Sequence, residues 1–184
     1  MTLMKKMKAM LLSLIFRVLN VEHLLKYTYQ KMKEKKMNID ILREEIASDE
    51  GCVLNLYNDH LNYKTFGIGH LVKKSDPEYN MPLGTPVSRK RVNTVFAEDM
   101  NMCVADCKRW TSDFDNLPEE VQHILCNMMF NMGYTRLSKF SKLKASIEKG
   151  NWKTASKEMK ASKWYTQVTN RADRLVKRME SVGE

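Results

Sequence analysis

Apolar residues along this chain recur at helical spacing, then crowd into two β-prone runs, then return to helical spacing as far as the C-terminus. Ile39, Leu42 and Ile46 fall on one side of a short helix that should stop at Gly51. Val53, Leu54, Leu56 and Tyr57, then Tyr63, Thr65, Phe66 and Ile68, flank a polar break at Asn58–Asn62, which predicts a hairpin. The stretch from Lys73 to Pro86, with Pro77, Pro82 and Gly84 inside it, reads as loop. Ser88 is placed to cap a long helix to about Trp110, with Val92, Val95, Phe96, Met102 and Cys103 on one face. Asn116-Leu117-Pro118-Glu119 has the form of a capping box, opening a helix through Val121, Leu125, Met128 and Met132 that ends at Gly133. Further helices are expected at about 137–149, 151–161 and 169–182.

This order predicts an α+β fold of two lobes. A small β-hairpin lobe spans about residues 50–87, and a larger helical bundle spans about 88–184 together with the first helix, 39–49. The long helix joins them. A cleft between a small sheet and a bundle suits a long polymer.

Residues 1–36 stand apart from the 37–184 domain. Met4, Met7, Leu11, Leu14, Ile15, Val18, Val21 and Leu25 recur at helical spacing, with Lys5, Lys6, Lys8, Arg17 and Lys26 between them. The uninterrupted apolar run is short, Arg17 ends it, and no small-residue cleavage site follows, which argues against a secretory signal or a spanning helix. A basic amphipathic extension, lying on a membrane surface or packed on the folded domain, fits the pattern. The competing reading is that translation starts at Met37.

Charge supports this division. The net charge is +9, but residues 1–36 carry nine Lys/Arg against two Glu, leaving only +2 for the rest. The basicity therefore marks the extension and not a nucleic-acid-binding face of the domain. Cys52, Cys103, Cys107 and Cys126 show no metal-ligand spacing, so free buried thiols and no metal are expected.

The chemistry concentrates between Glu50 and His70. Glu50, Asp59 and Thr65 offer two carboxylates and a hydroxyl across a helix end and a hairpin. Paired carboxylates, one protonated and one ionised, are the equipment for splitting a glycosidic bond. A carboxyl at a helix C-terminus meets a dipole that helps it retain its proton, while one in a hairpin turn stays solvated and ionised. Asp99 falls on the apolar stripe of the long helix and needs a cationic partner, for which His70 is the candidate.

The E-x8-D-x5-T spacing, Gly67-Ile68-Gly69-His70, the stretch Asn127 to Gly133, and the run from Ser162 through Arg174 resemble the phage-type lysozymes of glycoside hydrolase family 24 over roughly residues 38–182. The resemblance implies a two-lobed lysozyme-like fold and a peptidoglycan muramidase that needs no cofactor. It assigns Glu50 as general acid, with Asp59 and Thr65 positioning water for an inverting reaction. It places Leu71 and Phe130 in the saccharide groove, makes His70 and Asp99 a structural pair, and sets Arg171 on Glu50 and Arg174 on Asp49. An arginine on Glu50 favours the ionised form, against the helix end. Leu143 and Glu158 stand where relatives carry smaller polar residues, and the loop from Lys73 to Pro86 is shorter than the family's. The implied partner is bacterial peptidoglycan, acted on by a monomer with no nucleic acid involved. The implied setting is the host bacterial cytoplasm, with action on the periplasmic wall after release, or carriage on a virion. A wall-binding or membrane-active protein on a lysozyme scaffold, and a chitinase-like glycosidase, are the alternatives.

Overall fold

The computed structural model describes Val21 and residues 37–183, so the expected amphipathic extension at 1–36 lies, Val21 apart, outside the described residues. Residues 37–184 form one unit. Within it, α1 (Ile39–Glu50) is capped by the Asn38 side chain, which accepts from the Asp40 and Ile41 amides. Leu42 and Ile46 are fully buried, and Gly51 ends the helix at φ 72°, a left-handed conformation that favours glycine. The Asn38 amide donates to Glu119 Oε1 at 2.6 Å, and α1 packs on the helix that Glu119 opens.

The small lobe is an antiparallel sheet in the order β1 (Val53–Asn58), β2 (Lys64–Gly67), β3 (His70–Leu71). Tyr57 pairs with Thr65 and Asn58 with Lys64, while a bulge lies between Val53 and Tyr57. The sequence predicts one hairpin running through Ile68. Instead β2 stops at Gly67, and a tight turn through Gly67 and Gly69, both at positive φ, folds His70 back beside Phe66. A Cβ on Gly67 would lie 2.9 Å from Val92 Cγ1, so glycine is required there on two counts.

The loop between β3 and the long helix has no helix or strand of its own. Cations pin it. Arg91 donates from Nε to Glu78 at 2.9 Å and from Nη2 to Asp76 at 3.0 Å, and Lys64 Nζ donates to the Tyr79 and Met81 carbonyls. Residues 73–86 therefore keep a fixed path with little apolar burial of their own.

Ser88 caps α2 (Arg89–Trp110) as expected, its hydroxyl accepting from the Arg91 amide. Val92, Val95 and Phe96 are buried, but Met102 is exposed and Met100 takes a core position instead. The front of α2 packs on β2 and β3, its rear on the helical lobe. The buried stripe turns as its covering partner changes, which a single helical period does not anticipate.

Beyond a 3₁₀ turn at Phe114–Asn116 lies α3 (Glu119–Met132), buried along most of its length. The expected capping box is absent: Pro118 occupies the N-cap and no side chain caps the helix. Next come α4 (Tyr134–Leu137), α5 (Ser141–Glu148), α6 (Trp152–Lys160), α7 (Lys163–Gln167) and α8 (Thr169–Glu180). The expected helix at 137–149 begins only at Ser141, and α4 and α7 are short helices that the pattern did not separate. The stripe on α8 buries Arg171, Ala172, Leu175, Val176 and Met179. The described residues thus form an α+β fold of eight helices and a three-stranded sheet. Among them no helix is long and apolar enough to cross a membrane.

One expectation for the cysteines is corrected: Cys52 is exposed, whereas Cys103, Cys107 and Cys126 are free and buried. The sulfurs of these three, scattered in sequence, converge to within 4.8 Å of one another where α2 packs on α3.

Replacing Gly67 by alanine should destabilise the protein by about 1–3 kcal/mol, the usual range for an L-residue held at such a φ, with the Val92 contact adding to it. Urea unfolding of the variant beside the parent measures the loss. An unchanged midpoint would mean that the turn relaxes freely.

Candidate active site

Glu50 is the last residue of α1, and its side chain is 24% exposed. Its Oε1 accepts from Arg171 Nη1 at 2.6 Å. Its Oε2 lies on the side of Gly69, where an added Cβ would sit 3.8 Å away. Glu50 therefore has one oxygen engaged by a cation and the other facing a spot that the missing side chain of Gly69 leaves open.

Arg171 is held by more than Glu50. Its Nε donates to Asn127 Oδ1 at 2.6 Å, its Nη2 donates to the Asn127 carbonyl at 3.1 Å, and Asp49 lies 3.3 Å from Nε. Asn127 Nδ2 in turn donates to Asp49 Oδ2 at 3.0 Å. Arg174 reaches both Asp49 oxygens, at 2.7 and 2.6 Å. Burial pushes the Asp49 carboxyl up, but hydrogen bonds from Arg174 and Asn127 and the charges of Arg171 and Arg174 outweigh it and hold the group below its ordinary value. Arg171 is itself buried, at 8% exposure.

Asp59 opens the turn between β1 and β2. Its Oδ1 accepts from the Leu61 amide at 2.9 Å and the Tyr63 amide at 2.8 Å, which fixes the carboxylate against its own hairpin. Asn62, within that turn, takes φ 67°. Thr65 is buried, and its hydroxyl donates to the Tyr63 carbonyl at 3.0 Å. With its proton so used, the Thr65 oxygen is left as an acceptor. The Tyr63 peptide thus touches both groups.

Tyr57, directly across from Thr65, senses both carboxylates. Burial, followed by the negative charges of Asp59 and Glu50, pushes its phenol above the ordinary value. Neither Tyr57 nor Asn127 carried a site assignment from sequence. A β-prone tyrosine two residues before Asp59, and an asparagine on an otherwise apolar helix face, were the available signals.

Leu71, at the end of β3, is exposed, and Phe130 is half-buried with its ring edge-on to Phe96, centroids 5.7 Å apart. An open hollow of about 1160 Å³ lies beside the Asp59 turn, lined by His60 and Leu61 on one side and by Asn131, Phe140, Glu158 and Trp164 on another. Leu143 also borders it, whereas Glu50, Leu71 and Phe130 do not.

Behind the sheet, His70 Nδ1 lies 2.6 Å from Asp99 Oδ2, and its Nε2 lies 3.2 Å from Asp76, a second partner that sequence did not suggest. Burial pulls His70 down, yet the hydrogen bonds and charges of Asp99 and Asp76 together raise it above its ordinary value. These contacts bind β3 and the following loop to α2 and place the Gly67–Gly69 turn beside Glu50.

Comparison with known proteins gives the family of the chain. The family described as Phage lysozyme matches residues 47–181. The chain belongs to the phage lysozyme family. It is 26% identical over 162 residues to Probable T4-type lysozyme 2 of Dictyostelium discoideum, covering 78% of this chain and 95% of that one. It is 29% identical over 152 residues to the pre-baseplate central spike protein of Enterobacteria phage T4, covering 73% of this chain but 26% of the spike protein. It is also 28% identical over 144 residues to a peptidoglycan hydrolase of Pseudomonas phage phiKMV, covering 78% of this chain and 16% of that protein.

The raised His70 gives a signed pH dependence. A histidine whose folded value exceeds its unfolded one contributes fully below the unfolded value of about 6.5, and the contribution fades as pH rises through the folded one. Replacing Asp99 with asparagine should therefore cost about 2–4 kcal/mol near pH 5.5, less than a fully buried pair because Asp99 keeps some solvent contact. The difference should shrink at alkaline pH. Denaturant unfolding at several pH values, with NMR titration of His70, checks both. A pH-independent difference would contradict the pairing.

Proposed function

We propose that this phage lysozyme family member cleaves the β-1,4 bond between N-acetylmuramic acid and N-acetylglucosamine in peptidoglycan, with inversion at the anomeric carbon. Hydrolysis of peptidoglycan is the reading that the family and its relatives support. The bond and the stereochemistry are inferred from the chemistry of the site.

Glu50 carries the proposal. With Arg171 on Oε1, the acidic proton belongs on Oε2, the oxygen on the Gly69 side. A glycosidic oxygen approaching there receives that proton as the C1–O bond breaks. Proton transfer leaves a carboxylate, and the Arg171 guanidinium, already seated, stabilises it as it forms.

The attacking water belongs between Asp59 and Thr65. Thr65, whose hydroxyl donates a hydrogen bond to the Tyr63 carbonyl, accepts one hydrogen of that water, while Asp59 accepts the other. A lone pair on the water oxygen then faces the anomeric carbon. As the C–O bond to water forms, its proton passes to Asp59. The two backbone amides on Asp59 Oδ1 leave Oδ2 for that task. Attack from the face opposite the departing oxygen inverts the centre.

Two sets of variants test these roles. Glu50→Gln keeps size and shape but has no proton to give, so clearing of a purified peptidoglycan suspension should fall by about 100-fold or more while circular dichroism stays native. Retention of a third of wild-type clearing would remove Glu50 from the mechanism. Asp59 should behave less absolutely: Asp59→Glu keeps measurable clearing and Asp59→Ala loses most of it. Equal activity in those two would mean that no carboxylate is needed on the hairpin.

A further inference from the structure

The cleft leaves one cluster of reactive groups unused. Cys103 and Cys107 stand one turn apart on α2, Cys126 faces them from α3, and the three sulfurs all lie within 4.8 Å of one another. Cys107 and Cys126 are fully buried, and Cys103 keeps 6% exposure. Cys103 Sγ also lies 3.1 Å from the Cys126 carbonyl, so the two helices hold these positions in register.

Three atoms so spaced share a point no more than about 2.8 Å from each, against about 2.3 Å for a thiolate–metal bond. Small side-chain adjustments close that gap. Among the described residues, the group contains sulfur alone, with no imidazole or carboxylate as a fourth ligand. Zinc in a structural site takes four ligands, so it is poorly served here. A soft thiolate set selects a soft ion. Charge decides further: a monovalent ion that replaces one thiol proton leaves the buried site with its original charge. A divalent ion must displace two protons, or leave an uncompensated charge in an apolar core.

We propose that Cys103, Cys107 and Cys126 form a three-coordinate site for monovalent copper between α2 and α3. Copper enters from the Cys103 side, the only one of the three with solvent contact, and each sulfur that ionises releases one proton to solvent. The metal is neither oxidised nor reduced. The competing account treats the thiols as small apolar filling of the helix interface.

The test titrates the full reduced chain with monovalent copper, without oxygen, against bicinchoninate as competing chelator. The proposal expects one copper per chain held against the chelator, with Cys52→Ser binding as the parent does. Cys107→Ser, its fold checked by circular dichroism, should lose more affinity than the roughly 10–100-fold that losing an outer-sphere partner costs. X-ray absorption on the copper-loaded parent is independent of any variant's folding and should count three sulfur neighbours. Copper left with the chelator, a two-sulfur environment, or binding abolished by Cys52→Ser would each overturn the site.

Discussion

The site depends on one buried guanidinium. Arg171 sits near the start of α8, and its donors reach the C-terminal end of α1 through Asp49 and Glu50 and the middle of α3 through Asn127. A buried charge without partners would be strongly destabilising, so these helices are confined to the arrangement that supplies them. Asp49, with Arg174 as its second cation, takes up charge that would otherwise fall on Glu50 alone. The second oxygen of Glu50 lies on the Gly69 side, away from the Arg171 contact.

The small lobe answers with a constraint of its own. His70, flanked by Asp99 on α2 and Asp76 on the following loop, draws the sheet onto the long helix. Arg91 extends the network by holding Asp76 and Glu78. The turn between Gly67 and Gly69 is thereby fixed beside Glu50, with Cβ-free backbone on the side of its Oε2. One ion network seats Glu50, and the other fixes the turn beside it. The hairpin carrying Asp59 and Thr65 needs neither cation, because Asp59 and Thr65 are tied together through the Tyr63 backbone.

Much of this was legible in sequence where a single residue type dictates local geometry. Gly51 and Ser88 bounded their helices, and an aspartate on an apolar stripe demanded a partner that His70 supplies. What escaped was set by tertiary context. The buried stripe of α2 turns because two lobes cover it in succession, so Met100 and not Met102 is interior. Pro118 lacks a capping side chain, yet α3 begins there because it is buried on most sides. The break near Phe140 and the short α4 and α7 fall below the length at which periodicity speaks. Asn127 as the hub for Arg171, and Cys126 as the third thiol beside Cys103 and Cys107, are meetings of residues distant in the chain. No local pattern encodes them.

The central claim is that Glu50 gives its proton on one face of the sugar while water, held by Asp59 and Thr65, attacks the other. Product stereochemistry reads that geometry directly. Proton NMR of a defined peptidoglycan oligomer, recorded before mutarotation, reports the anomer released at the cut. The account predicts that the new reducing end forms as the α-anomer from the β-linkage. Initial release of the β-anomer would contradict it, since retention requires a carboxylate bonded to the sugar in place of the water.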